Sequence, residues 1–428
     1  PDRPRHKLCE EWRWWPSLCC RGMLLTTFVF LFGYACGYQT AVRPRCAIAR
    51  SSSVQCLDIV VPPVEEKKEE EGLRKIARGK HDDTPDYMRS KRNLYPRKCD
   101  VMDEIEDFVQ QQIDEGLLLD CNKAWQPMDF LPSPEQPTEE WFDELREFRK
   151  MSEELPDDLL LVLIGDMVTE EALPTYLTLL NTLEGTDDPT GAIDTAWGRW
   201  SRQWTSEENR HGDLLNRYLY LGGRVDMRSI EQTIMRLISS GFDPDTRSDP
   251  YRGFIYTSFQ ERATKISHGN VGKLLGKAGD KWGARICARI AGDEARHEKA
   301  YQLFVQRVLE LDPDGAMIAY ADMMKKQIVM PAERMTISNN ANLYEDFSRV
   351  ATDLRIYTGV DYADIIRHLN EFWEVETLTG LCPEAQEAQE YVCKLPKRFT
   401  KLAQRQQKAF DKQPREPREW AWLNGRVL

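Results

Sequence analysis

Two short stretches of the sequence pair a carboxylate with an imidazole three residues later. Residues 208–211 read Glu-Asn-Arg-His, and residues 294–297 read Glu-Ala-Arg-His. Positions i and i+3 share one face of a helix, so each stretch directs its two chemical groups towards one point. Carboxylate oxygen and imidazole nitrogen are ligands that divalent transition metals accept. The two stretches therefore predict halves of a metal site.

Four predicted helices must bring these two stretches and two further acids to one place. They cover residues 159–183, 192–221, 253–278 and 282–311. The second and fourth contain the two stretches, whereas the first and third contain Glu170 and Glu261 among apolar residues. Alternating β patterns are almost absent, so the predicted fold class is all-α. Glu, Glu-x-x-His, Glu and Glu-x-x-His, in that order, are the ligands of ferritin-like four-helix bundles with a di-iron or di-manganese core.

This mixture of ligands suits a pair of divalent irons. Four carboxylates neutralise the four positive charges of two such ions, and they can bridge and shift as the irons oxidise. Two neutral imidazoles complete the set and leave room for O2. The alternative is that the acids form salt bridges on helix faces, for example between Glu261 and Arg262. Acids inside apolar helices without evident partners disfavour that alternative.

Neighbouring acids leave a choice at two positions. The spacing to His211 selects Glu208 over Glu207. Glu170 shares its helix stripe with more apolar residues than Glu171 does, which favours Glu170. Pro174 lies four residues after Glu170 and cannot donate a hydrogen bond to its carbonyl, so we expect a local distortion of this helix.

Three more side chains could support the site. Asp293 precedes His297 by four residues, and a carboxylate on the far imidazole nitrogen would fix the tautomer; the alternative is a solvated charge. Thr264 follows Glu261 by three residues and either faces the metal cavity or bonds back to its own helix. His268 is a possible third imidazole or a core histidine.

The first 57 residues have the composition of a targeting region. Residues 23–38 form an apolar block of 16 residues, short for a membrane span but suited to a signal-peptide core. Residues 39–57 contain Arg and Ser but no acid, as transit peptides do. We expect two-step targeting to a complex plastid, with no membrane span in the mature protein. The alternative is a disordered tail with one apolar anchor.

The remaining chain divides into a linker and one folded domain. Residues 58–83 include Pro-Pro followed by a Glu/Lys run, which predicts a disordered linker, and residues 84–428 form the predicted domain. The net charge of −12 argues against a nucleic-acid partner. Six of the eleven cysteines precede Asp58 and the others are scattered, so we expect reduced thiols and no disulfide framework.

Several long strings resemble the soluble plant-type acyl-(acyl carrier protein) desaturases. They are Gly-Asp-Met-Val-Thr-Glu-Glu-Ala-Leu-Pro-Thr-Tyr at 165–176, Glu-Glu-Asn-Arg-His-Gly-Asp-Leu-Leu at 207–215, Gly-Phe-Ile-Tyr-Thr-Ser-Phe-Gln-Glu-Arg-Ala-Thr at 253–264 and Asp-Glu-Ala-Arg-His at 293–297. The likeness spans about residues 84–428. Strings of this length are far more specific than a Glu-x-x-His motif, which occurs often by chance.

The resemblance implies a plastid-stromal homodimer that takes electrons from ferredoxin. It implies reduction of O2 at two iron ions per subunit, cycling between Fe2+ and Fe3+, and insertion of a cis double bond into an acyl chain on acyl carrier protein, at delta-9 of stearoyl. By motif position, the implied iron ligands are Glu170, Glu208, His211, Glu261, Glu294 and His297. This agrees with the choice of Glu170.

The resemblance also implies roles around the irons. Electrons would pass through Trp125 and Asp293 to His297, and Thr264 would handle a proton. The acyl tunnel would pass Leu179, Thr182, Leu183, Pro244, Thr246, Gly253 and Phe254. At positions 179 and 265 the family often has Met and an aromatic residue, whereas this chain has Leu179 and Lys265.

Acyl carrier protein is acidic, so an acidic enzyme needs a basic surface to bind it. The candidates are Lys273, Lys277, Lys281, Arg285, Arg296 and Lys299. Three other functions stay open at this point: another ferritin-like di-iron oxidase such as a hydroxylase subunit, a ferroxidase or iron-storing protein, and a catalytically silent structural subunit. The long acyl-desaturase strings disfavour all three.

Overall fold

The structure, a computed structural model, describes residues 96–337 and 340–428. The predicted targeting region, the linker and the start of the folded domain at residue 84 lie outside these residues. Within them nearly all regular secondary structure is helical, which confirms the all-α fold class. Two short strands, β1 (Glu419–Trp420) and β2 (Arg426–Val427), pair antiparallel near the end of the chain.

The α-helices are numbered here in chain order. They are α1 (Pro96–Glu104), α2 (Glu106–Gln112), α3 (Thr138–Glu153), α4 (Asp157–Glu170), α5 (Leu173–Leu180), α6 (Ala196–Gly222), α7 (Met227–Ser240), α8 (Pro250–Lys277), α9 (Lys281–Leu311), α10 (Pro313–Lys326), α11 (Leu343–Asp353), α12 (Gly359–Phe372) and α13 (Pro383–Phe410). A π turn at Ile113–Leu117 and short 3-10 turns, including Pro127–Phe130 and Pro331–Arg334, connect some of them.

Helices α4, α6, α8 and α9 form the bundle that the sequence predicts, and α8 packs along α9. Defined caps fix where the long helices begin. Thr195 accepts a hydrogen bond from the Gly198 amide at the start of α6, and Asp280 accepts one from the Gly283 amide at the start of α9. Gly223 ends α6 at a φ of 69°, a left-handed conformation that glycine adopts without strain.

The predicted helix 159–183 is two helices in the structure. Helix α4 ends at Glu170 and α5 begins at Leu173. Pro174 occupies the first turn of α5, where its missing N–H is tolerated, and it cannot bond to the Glu170 carbonyl as a continuous helix would require. The expected distortion is thus confirmed, but it interrupts the helix completely.

Two apolar clusters fill the interior. One surrounds Trp197, Phe254 and Phe304, and the other surrounds α4, whose residues Leu159 to Ile164 are buried all round. Gly165 lets α11 approach closely, because a Cβ there would clash with the Phe347 ring. No helix of the described part is long and apolar enough to cross a membrane.

Candidate metal centre

Six buried side chains meet in the middle of the bundle. The last residue of α4, two residues each of α6 and α9, and one of α8 supply them: Glu170, Glu208, His211, Glu261, Glu294 and His297. The structure places Glu170 in this cluster. Its neighbour Glu171 instead accepts a hydrogen bond from Asn216 outside it.

The cluster divides into two groups of four that share two carboxylates. Glu170 and His211 complete one group, Glu261 and His297 complete the other, and Glu208 and Glu294 belong to both. One ligand atom from each member of a group lies within 4.8 Å of the others. Two metal positions bridged by a pair of carboxylates fit this arrangement.

Three atoms that face inward make no well-formed hydrogen bond among the described residues. Glu208 Oε1, His211 Nδ1 and His297 Nδ1 are buried without a hydrogen bond of good geometry, although His297 Nδ1 lies only 2.6 Å from Glu208 Oε1. Buried polar atoms almost always have a partner, because an unpaired one costs free energy. His211 Nδ1 lies 3.3 Å from oxygens of both Glu208 and Glu294, so these atoms converge without bonding one another well. Metal ions at this point would satisfy them.

The outward nitrogens of both imidazoles lie beside carboxylates of the opposite helix. His297 Nε2 is 3.1 Å from Glu207 Oε2, and His211 Nε2 is 3.4 Å from Asp293 Oδ2. A carboxylate at Nε2 favours the tautomer that keeps the proton there, which leaves the Nδ1 lone pair free for a metal.

The prediction that Asp293 contacts His297 is therefore wrong. The two residues share a face of α9, but they project from it side by side, and the far nitrogen of His297 points across to Glu207 of α6. Asp293 in turn reaches His211 of α6. Each acid orients the imidazole of the other motif, a relation that spacing within one helix does not reveal.

Sequence reasoning missed Glu207 and both arginines of this outer layer. Arg296 donates to Glu207 at 2.8 Å and to Asp293 at 2.6 Å, while Arg210 donates to Asp293 at 3.0 Å. Two arginines thus balance two carboxylates, and the four inner glutamates keep four charges for two divalent ions. A signal was present: both motifs read acid-Glu-x-Arg-His, an internal repeat.

Crowded negative charge shifts the pKa values of the inner residues. Burial, and then the charges of Glu294 and Glu208, raise the pKa of Glu261 well above its ordinary 4.5. Burial alone would lower the pKa of His297, but the charges and hydrogen bonds of Glu208 and Glu207 together outweigh it and raise that pKa to about 9. Both shifts show that this pocket favours additional positive charge, which two metal cations would supply.

Trp125 connects the outer layer to the loop before α3. Its indole N–H donates to Asp293 Oδ2 at 2.9 Å, and its ring lies parallel to the His211 ring with centroids 6.1 Å apart. The guanidinium of Arg210 stacks 4.3 Å from the Trp125 ring. Trp125, Asp293 and His211 therefore form a continuous contact from the edge of the bundle to the cluster.

Thr264 and Trp204 each hold one inner carboxylate. The Thr264 hydroxyl donates to Glu294 Oε2 at 2.7 Å and also lies 3.0 Å from the Glu261 carbonyl oxygen. Thr264 therefore both faces the cluster and bonds back to its own helix, the two alternatives that the sequence left open. The Trp204 indole N–H donates to Glu261 Oε1 at 3.1 Å, a contact that sequence reasoning missed.

His268 is buried beside the cluster but belongs to neither group of four. Its Nε2 lies 2.8 Å from Glu170 Oε1. Burial would lower the pKa of His268, but Cys287, Glu170 and Asp166 outweigh that effect and raise the pKa well above its ordinary value. The structure thus makes it a neighbour that orients Glu170.

A cavity of about 500 Å³ reaches the cluster from one side. Glu170, Thr264 and His268 lie at its inner end, and residues of α11, α12 and α13 form its walls, among them Ser348. Leu402 and Gln406, both exposed, lie at its outer end. A ligand of moderate size can therefore approach the cluster from the surface beside α13.

The seven predicted tunnel residues are not among those lining this cavity. Thr182 is exposed, whereas Leu183 is buried and would contact any Cβ added to Gly253. Phe254 stacks on Trp197 in the core. The tunnel along these residues stays a prediction, and the cavity that the structure shows has different walls.

Lys265, one of the two departures from the family pattern, has a defined partner. Its ammonium lies 2.9 Å from Glu298 Oε2, and Arg262 lies 2.6 Å from Glu298 Oε1. Burial would raise the pKa of Glu298, but hydrogen bonds from His368, Lys265 and Arg262 lower it to about 2. This carboxylate links α8, α9 and α12.

We expect Glu298→Gln to lower the free energy of unfolding by about 2–3 kcal/mol at pH 7. A carboxylate whose pKa is depressed in the folded state stabilises the protein above its unfolded pKa, near 4.5. The difference between variant and wild type should therefore shrink as the pH falls from about 5 towards 2. Urea unfolding at a series of pH values measures it. Glu310→Gln, which removes an exposed partner of Arg307, is the control and should change little.

Long helices around paired carboxylates and imidazoles define the ferritin-like class of dimetal carboxylate proteins. Comparison with known proteins narrows this class. Residues 97–424 match the family model described as fatty acid desaturase. The chain therefore belongs to the fatty acid desaturase family.

Three named relatives show how close this membership is. Over 392 residues, 91% of this chain and 96% of the relative, the chain is 48% identical to a seed-specific chloroplastic stearoyl-acyl-carrier-protein 9-desaturase of Brassica napus. It is 52% identical over 342 residues (80% of this chain, 85% of the relative) to stearoyl-acyl-carrier-protein 9-desaturase 5 of Arabidopsis thaliana. The Ricinus communis enzyme is 51% identical over 335 residues, covering 78% of this chain and 84% of that one.

Proposed function

We propose that this protein is an acyl-(acyl carrier protein) desaturase that inserts a cis double bond at delta-9 of a stearoyl chain. The observation that supports it most is a buried dimetal ligand set at the inner end of a cavity open to the surface. Relatives about 50% identical are named stearoyl-acyl-carrier-protein 9-desaturases. A ferroxidase would need neither this cavity nor such relatives.

The six clustered residues would hold two iron ions, one at each group of four, and Glu208 and Glu294 belong to both groups. When bound, the irons would supply the oxidising power, drawn from O2, that breaks unactivated C–H bonds. Glu207 and Asp293 hold the two imidazoles in the orientation that metal binding needs. The Thr264 hydroxyl donates a hydrogen bond to Glu294 Oε2, so it would be placed to pass a proton between the cavity and this carboxylate.

The cavity would bind the acyl chain and keep water away from the chain. Each methylene transferred from water to apolar walls contributes about 0.8 kcal/mol. Glu170, Thr264 and His268 mark the inner end, so the depth to which a chain enters decides which carbon lies nearest the cluster. We also propose that Leu179 and the tunnel predicted from the sequence set the length of acyl chain that the enzyme accepts.

Electrons would come from ferredoxin through Trp125 and Asp293 to His211. The contacts from Trp125 to Asp293 and from Asp293 to His211 support this route, with His211 in the place predicted for His297. We further propose a homodimer in the plastid stroma. The chloroplastic names of the relatives support the compartment, and the Arg- and Ser-rich residues 39–57 agree with it. The two-step route to a complex plastid remains our proposal from the sequence.

A direct assay tests the function. The purified protein is incubated with ferredoxin, a reductant, O2 and stearoyl or palmitoyl carrier protein, and the position of any double bond is found by mass spectrometry. We expect about two irons per subunit and a delta-9 product from the stearoyl chain. Absence of product from both substrates in iron-loaded protein would favour the silent structural subunit, and iron oxidation without any acyl product would favour a ferroxidase.

A further inference from the structure

The second half of α13 presents a basic stripe to solvent. Its members are spaced three or four residues apart, as positions on one helix face are, and all of them are exposed: Arg398, Lys401, Arg405 and Lys408. No acid occurs between residues 391 and 410. This local excess contrasts with the net charge of −12 for the whole chain.

Ordinary structural roles do not account for the stripe. Lys394, earlier on the same helix, pairs with Glu390 at 2.9 Å, but the four stripe residues form no ion pair within the described part of the chain. Basic residues in a last helical turn complement the helix dipole, yet that effect fades within one turn. Arg398 lies three turns before the helix ends at Phe410.

The stripe lies beside the outer end of the cavity. On the same helix, four residues line the cavity: Phe399, Leu402, Ala403 and Gln406. The basic stripe and the cavity wall therefore lie on neighbouring faces of α13. Leu402 is 45% exposed and separates the cavity from the stripe. A partner bound to the stripe would therefore hold its attached chain at the point of entry.

We propose that the basic stripe is the docking surface for the acyl carrier protein, the acidic partner that delivers the acyl chain. This inference rests on the proposed function and adds where that partner binds. Positive charge at the edge of an interface steers an acidic partner and fixes its orientation. Ferredoxin fits this surface less well, because neither Trp125 nor Asp293 lines the adjoining cavity.

The basic residues suggested by the sequence are less suitable. Arg296 is occupied by Glu207 and Asp293, and Arg285 donates to the Asp129 carbonyl while stacking on Phe130. None of the six suggested residues lines the cavity. Three of them, Lys273, Lys277 and Lys281, are exposed and make a matched control for total charge.

Lys401 also borders a second groove, between α12 and α13, that contains carboxylates of Glu371, Glu374 and Glu376. These acids weaken the attraction of that end of the stripe for an acidic partner. The test therefore reverses the other three charges in the variant Arg398→Glu, Arg405→Glu, Lys408→Glu. The control reverses three charges in Lys273→Glu, Lys277→Glu, Lys281→Glu.

Two measurements are made on each iron-loaded protein: the Kd for fluorescently labelled stearoyl carrier protein, and the kcat and KM of desaturation. We expect the stripe variant to raise Kd and KM by about tenfold or more at low salt, with kcat within about twofold. The control should change Kd by less than about twofold. Added salt should raise the wild-type Kd and affect the stripe variant little.

The proposed docking surface would be refuted if the stripe variant bound the carrier protein as tightly as wild type, or if both variants lost affinity for it equally. Intact carrier binding with slower reduction by ferredoxin would also refute it and would assign the stripe to that partner. Wild-type protein that binds the carrier through the stripe but forms no product would refute the proposed reaction and leave the docking surface standing. Circular dichroism and iron content show that each variant is folded and loaded.

Discussion

Replacing Glu294 with Ala is expected to remove iron from both positions and to abolish desaturation. Glu294 belongs to both groups of four, so its loss takes a ligand from each metal. Iron should fall from about two to less than about one per subunit, and activity at least about 100-fold, the upper end of losses from changes just outside metal sites. Glu170→Ala removes a ligand from one group alone and should retain about one iron.

Removing only the charge of Glu294, by Glu294→Gln, should stabilise the metal-free protein. Glu294 raises the pKa of Glu261 because two carboxylates are crowded together in a buried pocket. Glu294→Gln removes that repulsion while keeping the shape, so its metal-free form should unfold at a higher temperature than metal-free wild type, whereas the order should reverse with iron present. Glu171→Ala, next to the cluster but outside it, is the control. Two irons and normal turnover in Glu294→Ala would show that the metal lies elsewhere.

Filling the cavity with Ser348→Trp is expected to stop desaturation without loss of iron. Ser348 lies on α11 in the cavity wall and is not a member of the metal cluster. A tryptophan there would occupy space that the acyl chain needs. We expect kcat/KM for stearoyl carrier protein to fall by about 100-fold, the loss that a small misplacement of a reacting group can cause, with about two irons retained.

Ser348→Ala controls for loss of the hydroxyl group and should remain near wild type. Binding of the carrier protein without an acyl chain should also be unchanged in Ser348→Trp, because the substitution blocks the cavity and leaves the exposed residues of α13 untouched. Normal turnover by the tryptophan variant would mean that the chain reaches the cluster by another path, such as the predicted tunnel past Leu183 and Gly253.

Local spacing explains how the sequence could indicate which residues lie together in the cluster. His211 lies one turn from Glu208 whatever the rest of the chain does, and the same holds for His297 and Glu294. The apolar stripe that favoured Glu170 over Glu171 also reports a local property, namely which face of α4 is buried. The break after Glu170 followed from a single proline that lacks an N–H.

Relations between helices were beyond this kind of reasoning. The sequence suggested that Asp293 would support His297 on its own helix, but in the bundle it faces His211 of α6, and Glu207 faces His297. Which acid faces which imidazole depends on how α6 and α9 are rotated about their own axes. The spacing of residues within one helix does not give that rotation.

By itself, then, the sequence determined the helical character of the chain, the donor types and the order in which four helices supply them, because these depend on residue types and on spacing within a few residues. Only the tertiary structure decided which acid orients which imidazole, where the cavity meets the cluster at Glu170, and that α13 lies at its outer end. These depend on how distant helices pack against one another, which the free energy of the whole core fixes and a local pattern does not.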